Sequence, residues 1–219
     1  VLVDLHHRDD VIESDIRIIS DTKIEGMRRS KAWANDQHVY FAAEFSQPFS
    51  SFGIAVDDGI LADAFEAEGT NVKVFFKFNT ENEQEVLVKV GISAVSKEGA
   101  WKNLLTENTE WDFDNIKDKA ENTWNKELGK IIVEGGSPEQ QKVFYTALYH
   151  SMLAPNLYMD VDNNYRGRDL EVHNANDYNY YTVFSLWDTY RATHPLFTII
   201  DTKRSNDFIK TFKIKFIHL

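Results

Sequence analysis

The stretch Phe184-Ser185-Leu186-Trp187-Asp188-Thr189-Tyr190-Arg191-Ala192-Thr193-His194-Pro195 gathers an indole, a carboxylate, a guanidinium and an imidazole into the eight residues from Trp187. Those groups together suit a polyol. An indole face offers C–H stacking to a pyranose ring, a carboxylate accepts hydrogen bonds from two hydroxyls, and a guanidinium donates in a fork. The bland counterpart is a core tryptophan beside an Asp188–Arg191 surface pair at helical spacing. On chemistry alone the two readings stand even.

Other constellations carry less. Asp160, Asp162 and Asn164 fall at the first, third and fifth positions of a calcium-loop pattern, with Glu171 at the twelfth. The sixth position needs glycine for its turn but holds Tyr165, and Arg168 sets a positive charge at the ninth, so a plain hairpin turn is the better reading. His6, His7, His150, His173, His194 and His218 show no His-x-x-x-His spacing, so a histidine metal centre has no support in the sequence. There is no Gly-x-Ser-x-Gly elbow and no phosphate-binding glycine loop.

The composition narrows the classes further. Of 219 residues, 42% are hydrophobic and 13% aromatic, enough to build a core. The net charge of −11 arises from 35 acidic against 24 basic residues with no basic stripe, which argues against nucleic-acid binding. Cysteine is absent, which removes disulfides, thiolate metal sites and cysteine nucleophiles. No apolar run approaches the roughly 20 residues that cross a bilayer. The start, Val1-Leu2-Val3-Asp4-Leu5, is neither a signal peptide nor an initiator methionine and reads as a point within a longer protein.

The elements that must hold the Trp187 cluster divide into two kinds. To about Ser96 the signals are strands: Asp15–Ile19, His38–Phe45, Val72–Phe78 and Val86–Ile92 are β-branched, aromatic or alternating, with Gly, Asp and Asn between them. An antiparallel sandwich is the natural way to bury them. From Trp111 the period changes, because Ile116, Ala120 and Trp124 recur every fourth residue up to Gly129. Ser137-Pro138-Glu139-Gln140 then opens a second helix with an N-cap, a first-position proline and a capping-box glutamine. Val143, Phe144, Ala147, Leu148 and Met152 share a face of that helix and Pro155 closes it. A polar turn at Asp162-Asn163-Asn164 lies between Tyr158 and Tyr165, and an aromatic segment from Tyr181 to about His194 leads towards a further helix. Thr211 to Leu219 loses helical period and reads as a truncation or an altered reading frame.

Three ordered motifs resemble successive motifs of the family ninety-two α-mannosidases: Val143-Phe144-Tyr145-Thr146-Ala147-Leu148-Tyr149-His150-Ser151-Met152-Leu153-Ala154-Pro155-Asn156, then Asp160-Val161-Asp162 with Tyr165-Arg166-Gly167, then Tyr181 to Arg191. Ile24-Glu25-Gly26-Met27-Arg28-Arg29-Ser30 and Tyr40-Phe41-Ala42-Ala43-Glu44-Phe45-Ser46 look like that family's N-terminal sandwich, so the likeness extends to about Lys210.

The resemblance implies an α+β chain: an antiparallel β-sandwich over 1–110, a linker helix and connection over 111–136, and over 137–219 the first helices of an incomplete (α/α)₆ barrel. It implies an exo-acting enzyme that removes terminal α-mannose from N-glycans or mannan with inversion, aided by calcium, in members that are mostly exported to the periplasm or beyond. The expected partner is an α-mannoside glycan, with no nucleic acid and no membrane span. The catalytic carboxylates and most calcium ligands of the family fall beyond this chain, so no catalytic residue and no metal ligand is named here. The carried-over substrate-binding positions are Trp187 and Asp188, then Arg191, and Arg166 equally as a site residue or as the support of a loop. Unpaired helix faces at Val143, Leu148 and Met152 would lead to self-association. The competing reading is a non-catalytic carbohydrate-binding sandwich.

Overall fold

The computed structural model describes residues 1–61, 63–81 and 84–217, so His218 lies outside the described residues. The chain forms two compact units, one of Val1–Trp111 with Asp160–Asn164, the other of Asp112–Met159 with the residues from Tyr165 on.

The first unit is a two-sheet sandwich. Its strands are β1 (Leu2–Asp4), β2 (Asp10–Ile18), β3 (Lys23–Lys31), β4 (Gln37–Phe45), β5 (Ser51–Val56), β6 (Gly59–Leu61), β7 (Glu66–Gly69), β8 (Val72–Lys77) and β9 (Val88–Ser93). They order as β7-β2-β3-β4-β9 in one sheet and β1-β8-β5-β6 in the other, with every neighbouring pair antiparallel. Period-two alternation sends Ile16, Ile18, Ile24 and Phe45 from the first sheet against Ile54, Val72, Val74 and Phe76 from the second.

A helix follows β9, within the stretch to residue 110 that was assigned to the sandwich. Helix α1 (Lys97–Glu107) is capped by Ser96, whose Oγ accepts from the Gly99 N–H at 3.0 Å. It covers the outer face of the five-stranded sheet, packing Ala100 and Leu104 on Ala42. That cover reverses the expected burial of β9. Lys89, Gly91 and Ser93 are buried beneath the helix, while Val88, Val90 and Ile92 are exposed. Gly91 permits the approach, because a Cβ there would lie 2.4 Å from the Ala100 carbonyl oxygen. The Lys89 ammonium sits 3.5 Å from Glu44 and 4.1 Å from the centre of the Trp111 ring, so the buried charge is paired.

The second unit holds helices α2 (Phe113–Leu128), α3 (Pro138–Ser151), α4 (Leu186–Thr189), α5 (Thr193–Ile200) and α6 (Thr202–Ile217). It also has two small ribbons, β10 (Asn156–Leu157) with β13 (Tyr181–Thr182) and β11 (Asn164–Arg166) with β12 (Val172–Asn174). The sheet-then-helix order agrees with the sequence reading. Both expected helices form: Asp112 caps α2, and the expected reciprocal capping box of Ser137 with Gln140 opens α3. Ser137→Ala should cost about 1 kcal/mol of helical-unit stability by orphaning the Gln140 N–H. Urea unfolding followed at 222 nm reads this, and an unchanged midpoint would discount the cap.

Two expectations fail, and in a third the polar turn at Asp162–Asn164 forms but its hairpin lies one strand further on. Leu148 is buried and Met152 packs against the cluster of Tyr181, Phe197 and Phe208, so of the three side chains expected to stand unpaired Val143 alone, 69% exposed, is open. The hairpin is formed by β11 and β12, while Asp160–Asn164 closes on itself through the Asp160 N–H to the Asn164 carbonyl at 2.8 Å. Thr211 onward is not a loss of helix, since α6 runs to Ile217. Its inner face reads Phe208, Thr211, Phe212 and Lys215, and the threonine and lysine disguise the period. The Thr211 hydroxyl accepts from the Tyr181 N–H at 3.3 Å. The Lys215 ammonium lies over the rings of Phe184 and Tyr180, and burial pushes it down to about 8.

Candidate functional site

Phe184 and His194 anchor the two ends of the Trp187 cluster. Phe184 packs on Phe208 and Phe212 with ring centres 5.6 and 4.3 Å apart. The His194 ring meets the same two side chains nearly edge-on, and burial holds it below the ordinary histidine range. Its buried Nε2 has no hydrogen-bond partner among the described residues. The imidazole that the sequence placed among sugar-binding groups thus packs against Phe208 and Phe212 of α6.

Between these anchors the chain turns outward. Val183 takes a left-handed conformation with φ of 59°, uncommon for a β-branched residue and costing about 1–2 kcal/mol. The next turn, α4, raises Trp187, 88% exposed, with Tyr190 half exposed beside it in sequence. A tryptophan this open is not a core residue, which removes half of the bland reading.

The other half falls with the charged groups. The Asp188 carboxylate accepts from the Ser185 hydroxyl, while its N–H and that of Thr189 bond back to the Ser185 carbonyl at 3.1 Å. The Arg191 guanidinium donates from Nε to the Tyr190 hydroxyl at 2.6 Å and lies 5.1 Å from that ring's centre. Among the described residues Asp188 and Arg191 form no ion pair with each other. Each charge is steadied by a neutral hydroxyl and remains uncompensated, which leaves an acceptor, a donor fork and an apolar face open to a polyol.

Arg166 belongs to another element. It lies on β11 and donates to the Leu170 carbonyl at 2.6 Å, closing the turn from Gly167 to Leu170. Its observed bond therefore holds a loop.

The calcium-loop residues do not fit a cation. Asp160, 4% exposed, accepts from the Ser93 hydroxyl at 2.7 Å and from the Asn103 amide at 2.8 Å. Asp162 pairs with the Lys102 ammonium at 2.8 Å, and this bond holds its carboxyl below the usual range. A divalent ion would have to displace a protein cation and strip two buried hydrogen bonds. No group of three or more His, Asp or Glu side chains suited to a metal ion occurs among the described residues.

Comparison with known proteins places this architecture. The profile of the glycosyl hydrolase family 92 N-terminal domain matches residues 1–93, and that of the family 92 catalytic domain matches 99–215. The second match passes the Lys210 limit drawn from the sequence, in keeping with the continuous α6. A family 92 α-mannosidase of Bacteroides thetaiotaomicron superposes on 99% of this chain with a TM-score of 0.94 and 33% identity. The same enzyme has also been solved with mannoimidazole. An inverting family 92 mannosidase of Bacteroides thetaiotaomicron VPI-5482 superposes on 97% with a TM-score of 0.84 and 27% identity. The present chain spans 30% of the length of each. A secreted glycosidase of Arthroderma benhamiae is 31% identical over 87 residues, 38% of this chain and 11% of that protein. No helix among the described residues is long and apolar enough to cross a membrane.

Proposed function

This chain belongs to glycosyl hydrolase family 92, and from that premise we propose that it is part of an exo-acting α-mannosidase that releases terminal α-mannose from N-glycans or mannan with inversion. The observation that carries the reading is the open Trp187–Asp188–Arg191 turn, whose carboxylate and guanidinium do not neutralise each other. In this reading the Trp187 indole forms the apolar wall of a mannose subsite. Asp188 accepts hydrogen bonds from sugar hydroxyls, and Arg191 donates to a ring or hydroxyl oxygen. Arg166 supports a loop near that subsite.

Inversion requires one carboxylic acid to protonate the leaving oxygen and one carboxylate to activate water, set roughly 6.5–9.5 Å apart. No such pair is assigned within these residues. The 219 residues alone therefore bind and orient but do not complete the reaction. Calcium, which would polarise the sugar hydroxyls it contacts, is held in this proposal by residues other than those described. Secretion to the periplasm or the cell exterior fits a glycan substrate met outside the cytoplasm.

The test is a mannose-release assay on yeast mannan, with the first-formed anomer followed by proton NMR. A longer polypeptide carrying this chain and the remainder of a family 92 catalytic domain should release β-mannose. The 219 residues alone should release none above a heat-treated control. Release of α-mannose at the outset would refute inversion, and turnover by the short chain would refute the assignment of acid and base elsewhere.

A further inference from the structure

The turn between β3 and β4 carries Trp33 at its tip with a relative exposure of 102%, so the indole touches almost nothing of its own chain. Burial of such a ring contributes more than that of nearly any other side chain, and a fully exposed one on a rigid support is unusual. The base of the turn is tied together. Just below the tip, the Arg29 guanidinium grips Asp36 in a two-pronged ion pair, Nε to Oδ1 at 2.8 Å and Nη2 to Oδ2 at 2.6 Å. His38 Nε2 lies 3.1 Å from the same carboxylate, and the Ala32 N–H closes the turn on the Ala34 carbonyl at 3.0 Å. The clamp ties β3 to the last residue of the turn, with His38 of β4 beside it, and leaves Trp33 projecting from the tip.

The surroundings indicate what would cover it. Lys31, Ala32, Ala34, Asn35 and Gln37 are small or polar and all exposed. A protein interface requires a contiguous apolar core, which this tip does not offer. A pyranose presents one patch of C–H groups the size of an indole face, ringed by hydroxyls that the Asn35 and Gln37 amides are equipped to meet as donors and acceptors. We infer that Trp33 is a stacking platform for a pyranose of a neutral glycan, a binding site carried by the sandwich unit. The choice of a mannose polymer as that glycan rests on the proposed mannosidase function.

Affinity electrophoresis of the 219-residue chain in native gels containing soluble yeast mannan tests this, with amylopectin gels in parallel. Mannan should retard the wild-type chain. Trp33→Ala should need at least five times more mannan for half retardation, Trp33→Tyr should keep most of the effect, and Val143→Ala, at another exposed apolar side chain, should run as wild type. Because Trp33 packs on nothing, its variants should retain the wild-type circular dichroism and melting. Equal retardation of Trp33→Ala and wild type, or no retardation of the wild type by either polysaccharide, overturns the platform. Loss in Asp188→Ala but not in Trp33→Ala also overturns it and leaves the mannosidase reading intact. Trp33-dependent retardation by amylopectin alone keeps the platform and counts against mannan.

Discussion

Asp160→Ala is expected to destabilise the sandwich unit by about 3 kcal/mol, because it leaves buried donors without the charged acceptor they now share. The Ser93 hydroxyl and the Asn103 amide both donate to this carboxylate. Asn103 is committed on every side, donating also to the Ile92 carbonyl and accepting from the Val161 N–H at 2.9 Å, so it cannot turn to another partner. Gly99 fits against the same group, for a Cβ there would stand 2.3 Å from Asp160 Oδ2. Denaturant unfolding, with hydrogen exchange of the β9 and α1 amides to locate the loss, should show the full effect. An unchanged midpoint would mean that Asp160 merely fills space. Asp160→Asn should be milder, since it keeps one acceptor oxygen and the shape.

The pH dependence follows from the same burial. Desolvation raises the Asp160 carboxyl above its ordinary value, ahead of the opposing hydrogen bonds. A carboxyl whose folded value exceeds its unfolded value binds its proton more tightly in the folded chain, so this group's contribution to stability falls as pH rises through the window between the two. The stability of wild type relative to Asp160→Asn should therefore be greatest in acid and decline across that window. A difference that grows with pH would reverse the assignment.

Asp188→Ala, in a longer polypeptide with mannosidase activity, should lower kcat/KM at least tenfold, since a hydrogen bond to a charged group contributes about 1.5–3 kcal/mol. The substitution removes the acceptor and leaves ligand hydroxyls unpaired beside the Trp187 wall. Its effect on stability should be small, because the carboxylate's own bond is a local one to Ser185 on an exposed turn. Kinetics and melting of this one variant separate the readings. Near-normal kcat/KM would remove Asp188 from the subsite, and a large fall in melting temperature would give it a structural role instead.

Local chemistry was legible in the sequence wherever a residue acts on its near neighbours. The Ser137–Gln140 capping box, the helix between Trp111 and Gly129 and the strand of Val72, Val74 and Phe76 depend on bonds and periods a few residues long, and all stand in the structure as read. That Trp187, Asp188 and Arg191 stand within five residues of one another was legible from the chain itself. Whether those side chains face inward or outward was not, because that depends on Phe184 and His194 packing against α6, which comes later in the chain. Helix α1 was missed because the residues it buries, Gly99, Ala100, Asn103 and Leu104, mix small and polar side chains with a single large apolar one and make no apolar stripe. Its arrival then decided the rest: it buried Lys89 and Ser93 and left Val90 and Ile92 exposed, the opposite of what hydropathy alone dictates for β9. A strand's alternation tells that it has two faces, but only the element packed on one of them determines which is buried, and a lysine can occupy that face when a glutamate and an indole meet it there.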